Sequence, residues 1–529
     1  MGSRGRILGW LLLAAGLLIS ASPIFPQADV SADAVIQESA RFARIYGAVE
    51  QNYAEALDPE RAIWDGGIRR MLSLLDPFSA FFDRQQFELL QQQARGEALG
   101  FGSVLYVQPG KVVILQTSEG SPSWRAGLGP GDEIVEVNAT RIDRLDLQAL
   151  IELLERSRSH PVRLGVVRAG TVVARDFELK PAEVPMPTVD RVFALAPGTG
   201  YIHLSGFELK TTQEIADAVK RLAGPEGKNL DGLLLDLRDN HGGMIDAAVG
   251  VASLFLKPDL TVLTVRGRTA PEKTYRTTSS SSTYDGPLIV LVNGNTASAA
   301  EVVTAALEEH DRAVIVGNPT FGKGVVETVM GLGEKTGLAL TTAQYFTPSG
   351  RSIQRPLPET ALAISEVRFD PAAERSPGFH TDNGRPISGG GGVTPDVAIP
   401  PREIDPWAGF LNQRSLISTF AAEYISRHGK VQESFDPDEK VLDQFKDFLA
   451  RSGVRSPEEY WNKDQDYLKL RIKTEIFNFA FGLARGNEVE VRGDPEVQRA
   501  VKLFPKVEEL LKPPGPKPAK VHVRRVARR

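Results

Sequence analysis

The sequence of 529 residues contains no cysteine. Disulfide bonds, cysteine nucleophiles and thiolate metal sites are therefore excluded. The sequence also lacks the His-Glu-x-x-His pattern of zinc peptidases and the glycine-rich P-loop that binds nucleotide phosphates. We therefore expect no metal ion, nucleotide or other cofactor.

Positive charge is not in excess. The 62 Lys and Arg residues are outnumbered by 67 Asp and Glu residues, so the formal net charge is −5. Without a basic field there is no general attraction for phosphate backbones, and we expect no nucleic-acid partner. At 42% hydrophobic and 24% charged residues, the composition is that of a globular chain, whose length suggests about three or four domains.

Long apolar runs are scarce, and the one candidate membrane segment lies at the N-terminus. Arg4 and Arg6 precede an apolar run over residues 7–19, which Ser-Ala-Ser follows. This order is typical of a secretory signal, and the run is short for a bilayer span of about 20 residues. We interpret residues 1–25 as a signal peptide or an N-terminal anchor. The protein is then expected to be exported, to a bacterial-type periplasm or to a membrane facing it.

A predicted strand-to-helix turn contains the first candidate catalytic residue. Residues 288–292 are a continuous apolar run that ends at Asn-Gly, which predicts a buried strand. Residues 298–309 have apolar side chains at helical spacing. Ser298 is thus predicted at the N-terminal end of a helix, where free backbone N–H groups can meet a developing negative charge.

A serine needs a base before it can attack a carbonyl group. Lys323 lies in a Phe-Gly-Lys-Gly turn beside Phe321, Val325 and Val326. Apolar surroundings favour the neutral amine, which is the form of lysine that accepts a proton. The alternative is that Ser298 only caps a helix and that Lys323 is a solvated loop residue.

These motifs resemble those of the carboxy-terminal processing proteases, a Ser–Lys serine peptidase family with an internal PDZ domain. In that family the nucleophile lies in a motif similar to residues 293–301, and the lysine follows 25 residues later in Phe-Gly-Lys-Gly, as Lys323 follows Ser298 here. The resemblance extends roughly over residues 35–400. It implies an α/β fold with an inserted, β-rich PDZ domain and helical N- and C-terminal regions.

Two glycine-containing signatures resemble a PDZ domain over residues 96–182. Residues 99–102, Leu-Gly-Phe-Gly, resemble its carboxylate-binding loop, in which successive N–H groups turn toward one anion. Residues 126–134 have the glycine and proline of a turn that leads into a strand. The residues implied to bind a substrate C-terminus are Leu99, Gly100, Phe101 and Gly102. A predicted helix would border the groove with four apolar residues, unless they are only core: Leu147, Leu150, Ile151 and Leu154.

Residues 183–404 alternate between strand and helix patterns, which predicts a layered catalytic core with a largely parallel sheet. Residues 238–243, Arg-Asp-Asn-His-Gly-Gly, link a predicted strand to a helix. The resemblance implies that the N–H groups of Gly242 and Ala299 form the oxyanion hole, although the glycines also permit a tight turn. His241, at the family's proline position, is a less favoured alternative base.

The remaining segments have less specific patterns. Residues 32–95 and 405–511 are predicted to be helical, and the latter region extends the catalytic domain or mediates homo-oligomerisation. Residues 355–391 read as a surface insertion, and residues 512–529 as a disordered basic tail. Phe78 replaces the family's histidine, and we assign it no chemistry.

Glu327 departs from the family, which has a glutamine four residues after the lysine. An ionised carboxylate stabilises the ammonium form of a neighbouring lysine and so opposes its role as a base. Three alternatives remain: Glu327 is protonated, it points away from Lys323, or substrate binding breaks the pair.

The resemblance implies a serine endopeptidase that acts on exported proteins. Its PDZ domain would bind the C-terminus of a protein or peptide, and cleavage would pass through an acyl-enzyme on Ser298, with Lys323 as the base and Glu327 beside it. The competing hypothesis is a non-catalytic PDZ scaffold that has lost turnover through Glu327. No Gly-Asn-Ser-Gly-Gly motif supports a chymotrypsin-like enzyme.

Overall fold

The computed structural model describes residues 17–19, 32–168, 171, 173–224, 230–268, 271–278, 284–356 and 378–512. The strands in chain order are β1 Leu17–Ile19, β2 Ala80–Phe82, β3 Glu97–Gly100, β4 Ser103–Gln108, β5 Lys111–Thr117, β6 Glu133–Val137, β7 Thr140–Arg141, β8 Val162–Val167, β9 Arg175–Leu179, β10 Ala182–Pro185, β11 Val189–Ala196, β12 Thr199–Leu204, β13 Gly232–Asp236, β14 Thr261–Gly267, β15 Lys273–Arg276, β16 Leu288–Val292, β17 Val314–Gly317, β18 Val325–Gly331, β19 Gly337–Phe346, β20 Phe379–His380, β21 Pro386–Ile387 and β22 Val397–Ala398.

The α-helices are α1 Ala32–Asn52, α2 Arg69–Ser73, α3 Arg84–Ala94, α4 Pro122–Arg125, α5 Leu147–Ser157, α6 Thr211–Ala223, α7 Ile245–Ser253, α8 Ala299–Glu309, α9 Pro406–Gln413, α10 Leu416–His428, α11 Glu439–Arg451, α12 Glu458–Lys463, α13 Gln465–Phe481, α14 Leu483–Arg492, α15 Pro495–Val501 and α16 Val507–Leu510. A π-helix, Glu60–Ile68, precedes α2. Within the described ranges, no helix combines the length and apolar character needed to cross a bilayer.

The α/β core is built on a sheet with the order β11-β12-β13-β16-β17-β22. All of its neighbouring strands are parallel except β11 and β12. Every residue of β13 and β16 is buried, because helices α6, α7 and α8 pack on one face and C-terminal elements pack on the other. The predicted α/β core with a largely parallel sheet is confirmed, and its central strands have the continuous apolar sequences expected of strands covered on both faces.

A second sheet, which the sequence analysis did not predict, stands beside the first. Its order is β1-β18-β19-β14-β15, and β2 also pairs with β19. The pairing is antiparallel except between β1 and β18. Because β2 belongs to this sheet, the predicted helical region 32–95 is not helical throughout. This sheet bears on the candidate site because β18 begins two residues after Lys323.

The PDZ-like region forms an antiparallel sheet with the order β4-β5-β6-β8-β9. Helix α5 packs on it through Leu150, and Asp146 caps this helix by accepting a hydrogen bond from the N–H of Ala149. The opposite side of the region meets the C-terminal helices: the Tyr106 and Phe479 rings pack edge to face with centroids 4.9 Å apart. The C-terminal helical region therefore supports the PDZ-like sheet, a role that its sequence did not reveal.

The segment predicted as a surface insertion, residues 355–391, is only partly described. Residues 357–377 lie outside the described ranges, but the β20–β21 hairpin is attached to the core. The buried Arg385 donates to Asp311, to Asp396 and to the backbone oxygen of Glu308. The hairpin lies at the surface, where Asp382, Asn383 and Gly384 are exposed, and the buried guanidinium group ties it to the end of α8. Residues 1–16, 20–31 and 513–529, which include most of the predicted signal and the basic tail, also lie outside the described residues.

Candidate active site

Ser298 occupies the turn between the buried strand β16 and helix α8. Its backbone has φ +57° and ψ −119°, a conformation that non-glycine residues rarely adopt. The neighbouring Gly242 makes this turn possible, because an added Cβ there would lie 2.8 Å from the Ser298 Cβ. Strained backbone of this kind persists only where surrounding contacts hold it, and it is frequent at nucleophiles on strand-to-helix turns.

Lys323 lies in the loop before β18, separated from that strand by Gly324, and only 1% of it is exposed. Its Nζ donates a hydrogen bond of 2.8 Å to Oε2 of Glu327, which is equally buried. The Phe78 ring faces the same ammonium group, with its centroid 4.7 Å from Nζ. A carboxylate and the face of an aromatic ring both attract a positive charge, so these two groups hold the lysine side chain in a buried ion pair.

The turn of Ser298 and the loop of Lys323 share two buried partners. Glu301 accepts hydrogen bonds from the backbone N–H groups of both residues, each at 2.9 Å and both at Oε2. The Tyr345 hydroxyl donates to the Lys323 carbonyl oxygen at 2.6 Å and lies 3.2 Å from the Ser298 carbonyl oxygen. Burial raises the pKa of Tyr345 well above its usual value, so this hydroxyl stays a donor. The structure therefore brings the predicted nucleophile and base into one site.

The glycine turn lies against the N-terminus of α8. A Cβ on Gly242 would lie 2.9 Å from the Ala299 nitrogen, and Gly242 has φ +98°. The N–H of Gly242 donates to Oδ1 of Asn240 at 2.8 Å, so it would have to share or exchange this partner in order to donate to an oxyanion. Burial lowers the pKa of His241, the less favoured alternative base, which keeps its imidazole neutral at pH 7.

Asn240 supports this turn from within the core. Its Nδ2 donates to the Leu204 carbonyl oxygen at 2.7 Å, and its backbone carbonyl oxygen accepts from the N–H of Ala297 at 2.9 Å. The buried side chain thus connects β12 to the glycine turn, and the backbone of the same residue contacts the residue that precedes Ser298. Sequence reasoning quoted Asn240 within a motif but gave it no role, because hydrogen bonds to distant backbone groups leave no periodic signal.

The PDZ-like region has a cavity of about 550 Å³ along the predicted carboxylate-binding loop. Leu99, Gly100, Phe101 and Gly102 all line it, and Leu154 of α5 lies on its wall. Of the other three apolar residues proposed for the groove, Leu150 is buried in the core, whereas Leu147 and Ile151 are exposed.

The loop geometry depends on glycine at one position. Gly102 has φ +74°, and a Cβ there would lie 2.2 Å from the Ser121 Cβ. Its carbonyl oxygen accepts from the N–H of Ser118 at 2.8 Å, and that of Phe101 accepts from the N–H of Ser123 at 3.0 Å. Arg158 donates from Nε to the Leu99 carbonyl oxygen at 2.9 Å, which places a positive charge beside the cavity.

Two residues of the site were undervalued from the sequence. Phe78 was assigned no chemistry, yet its ring faces the lysine. Glu301 was only the last residue of the motif at residues 293–301, although its carboxylate accepts hydrogen bonds from the backbone of both Ser298 and Lys323. As for metal sites, nowhere in the described ranges do three or more His, Asp or Glu side chains group in a way that could hold an ion.

Comparison with known proteins connects this geometry to a family. The family model for peptidase family S41 matches residues 198–360, and a PDZ domain model matches residues 113–168. The carboxy-terminal-processing protease of Bartonella bacilliformis is 31% identical over 381 residues, which cover 68% of this chain and 87% of that protein. The carboxy-terminal processing protease CtpB of Bacillus subtilis is 29% identical over 354 residues, covering 66% of this chain and 72% of that protein.

Among solved structures, the photosystem II D1 C-terminal processing protease is 26% identical. The match covers 68% of this chain and 93% of that one, with a TM-score of 0.35. The sequence relatives decide the assignment, since one of them exceeds 30% identity over most of its own length. This chain therefore belongs to the carboxy-terminal processing proteases of peptidase family S41, and it is a serine peptidase with a PDZ domain.

Proposed function

We propose that Ser298 is the nucleophile of this peptidase and that Lys323 is its general base. The observation that carries the proposal is the shared pair of buried partners, Glu301 and Tyr345, which hold the two residues in one site. In the first step the Ser298 Oγ–H proton moves to the neutral Nζ of Lys323 while Oγ bonds to the substrate carbonyl carbon. The scissile C–N bond then breaks, and the Nζ proton passes to the leaving amine.

Hydrolysis of the acyl-enzyme repeats the same proton transfers. A water molecule gives its proton to Nζ of Lys323, its oxygen bonds to the acyl carbon, and the proton returns to Ser298 Oγ as that bond breaks. The backbone N–H groups of Ala299 and Gly242 are the proposed donors to the oxyanion of both tetrahedral intermediates. Such a donor contributes roughly 3 to 4 kcal/mol to the lowering of the barrier.

Glu327 controls whether Lys323 is available to act as the base. In the structure it forms a buried ion pair with Lys323, so the alternative that it points away does not describe this state. We propose that the pair is a resting state, in which the ammonium cannot accept the serine proton. The ammonium proton must pass to solvent before a turnover begins, and substrate that displaces Glu327 would remove the carboxylate that retains this proton.

The PDZ cavity supplies a binding site for the C-terminus of a protein or peptide substrate. The N–H groups of the loop at residues 99–102 would meet the terminal carboxylate, and the apolar wall, which includes Leu154, would take an apolar last side chain. We further propose that the substrates are exported proteins, that residues 1–25 direct the chain to the periplasm or anchor it there, and that the helical C-terminal region contributes to a homo-oligomer.

The test is hydrolysis of a peptide with an apolar C-terminus, followed by mass spectrometry of the products. We expect Ser298→Ala and Lys323→Ala to abolish cleavage while PDZ binding of the same peptide remains. Lys335→Ala removes an exposed lysine at the other end of β18 and serves as the matched control. Persistent cleavage by Lys323→Ala would refute the assignment of the base. Peptide binding without any hydrolysis by the wild type would instead favour the scaffold hypothesis.

A further inference from the structure

Glu301 is a fully buried carboxylate in the first turn of α8, and its two oxygens accept four hydrogen bonds. Oε1 accepts from the Thr320 hydroxyl and the Gly322 N–H, and Oε2 accepts from the N–H groups of Ser298 and Lys323. Three of these four partners belong to the loop that contains Lys323. The fourth is the backbone of Ser298 in its strained conformation.

All four partners are donors. Three are backbone N–H groups, which cannot accept, and the Thr320 hydroxyl itself accepts from the N–H of Val393 at 2.7 Å, which leaves its hydrogen for Glu301. Only a group with two acceptor oxygens satisfies this set. An amide or a protonated carboxyl group places a donor against donors, and a buried unsatisfied N–H group is costly.

On the basis of the proposed roles of Ser298 and Lys323, we propose that Glu301 is the positioning residue that fixes the nucleophile and the base relative to each other. It acts in its ionised form. Its carboxylate holds the Ser298 turn and the Lys323 loop as one unit, so that the serine hydroxyl and the lysine amine meet in reactive geometry. It touches neither substrate nor the reacting atoms.

The surroundings of Glu301 give this role a pH signature. The titratable group that faces it is Tyr345 from β19, whereas Lys323 contacts it through its backbone N–H and directs its side chain to Glu327. Burial raises the pKa of Glu301 to about 7, against its four hydrogen bonds, which lower it. Below this pH a proton on Glu301 removes one acceptor, so kcat is expected to fall on acidification through about pH 7.

The expected effect of pH on stability has the opposite sign to its effect on kcat, so the two measurements distinguish a positioning role from a loss of folded protein. A carboxyl group whose pKa is raised on folding stabilises the folded state at low pH, and this contribution is lost as the pH rises through the folded-state value. Glu301 therefore makes the protein more stable below pH 7, where the activity is expected to fall. A simple loss of folded protein would not produce this combination.

The experiment compares kcat, KM and the pH profile of the full-length protein with those of three variants. We expect Glu301→Gln to lower kcat about tenfold or more at pH 8, with KM nearly unchanged, and to abolish the acid limb. Glu301→Asp keeps two acceptor oxygens and is expected to have an intermediate kcat with the acid limb retained. Thr320→Val removes one donor and is expected to give a smaller loss.

Glu309→Gln is the matched control. Glu309 is also a buried carboxylate of α8, and it accepts from the N–H of Ser349 and from Arg351, outside the site. We expect this variant to lose stability but to keep the kcat of the wild type. The inference is overturned if Glu301→Gln keeps kcat within about twofold together with the acid limb, or if Glu309→Gln loses as much kcat.

If Glu301→Gln does not fold, the other two variants decide, and wild-type kcat in both overturns the inference. Ser298→Ala and Lys323→Ala are assayed in parallel. Cleavage by either of these would overturn the proposed function itself. Two inactive variants beside a fully active Glu301→Gln would overturn only the positioning role.

Discussion

Replacing Glu327 by glutamine tests how the lysine is held in its resting state. The Lys323 ammonium is almost completely buried, donates to Glu327 at 2.8 Å and faces the Phe78 ring at 4.7 Å. Glutamine has nearly the same shape and can still accept a hydrogen bond from the amine, but it carries no charge. The substitution therefore removes the electrostatic preference for the ammonium and leaves the packing in place.

The size of the effect follows from the interaction that is lost. A hydrogen bond to a charged group is worth about 1.5 to 3 kcal/mol, against about 1 kcal/mol for a neutral one. A difference of about 1.4 kcal/mol changes an equilibrium tenfold. We therefore expect release of the Lys323 side chain from its resting partner to be about tenfold more favourable in Glu327→Gln, and kcat/KM at pH 7 to rise by a similar factor.

The assay is the pH dependence of kcat/KM on one peptide substrate, from pH 6 to pH 10. Glu327→Gln should have the higher kcat/KM through this range, because the neutral amide holds the lysine side chain less strongly than the carboxylate does. Glu88→Gln, which removes an exposed partner of Lys335, is the control. A folded Glu327→Gln with lower activity at every pH would refute the reasoning and show that the carboxylate takes the lysine proton during turnover.

Three further predictions concern stability and substrate binding. Arg351→Met should destabilise the fold by about 3 to 5 kcal/mol in urea titrations, because it leaves two buried glutamates without their cation. Gly102→Ala should weaken binding of C-terminal peptides in fluorescence titrations, since its Cβ would collide with Ser121, whereas Gly120→Ala, with the same positive φ but open space, should bind normally. Burial raises the pKa of Glu208 to about 7, so this residue stabilises the fold below about pH 4.5 and loses that contribution as the pH rises through 7. Glu208→Gln should therefore be more stable than the wild type at pH 8, by at most about 3 kcal/mol in urea titrations. Equal stability of the two proteins at pH 8 would contradict this assignment.

Much of the core could be predicted from the sequence because its strands are covered on both faces. The apolar run 288–292 is strand β16, and the helical spacing after Ser298 is helix α8. Such elements can be predicted from local composition and periodicity. The antiparallel sheet beside the core could not be predicted in this way. Its strands come from segments as distant as β2 and β19, and their pairing is decided by packing rather than by any local pattern.

The same division applies to the active site. The residue types left Ser298 and Lys323 as candidates beside a plainly structural alternative, and the resemblance to the family, with its spacing of 25 residues, favoured them as the proposed nucleophile and base. The sequence also identified Glu327 as an unusual neighbour of the lysine, but its orientation toward Nζ was visible only in the fold. The bridge through Glu301 was not visible at all, since it joins backbone N–H groups that every residue possesses.

The sequence by itself supplied the groups proposed for the chemistry: a serine, a lysine without any thiol alternative, and the glycines that allow two tight turns. The tertiary structure decided which groups contact them. It places the buried lysine beside a carboxylate and an aromatic ring, and it surrounds Glu301 with donors. The physical reason is that the charge of a side chain depends on the groups that desolvate and contact it, and in this site those groups come from distant parts of the chain.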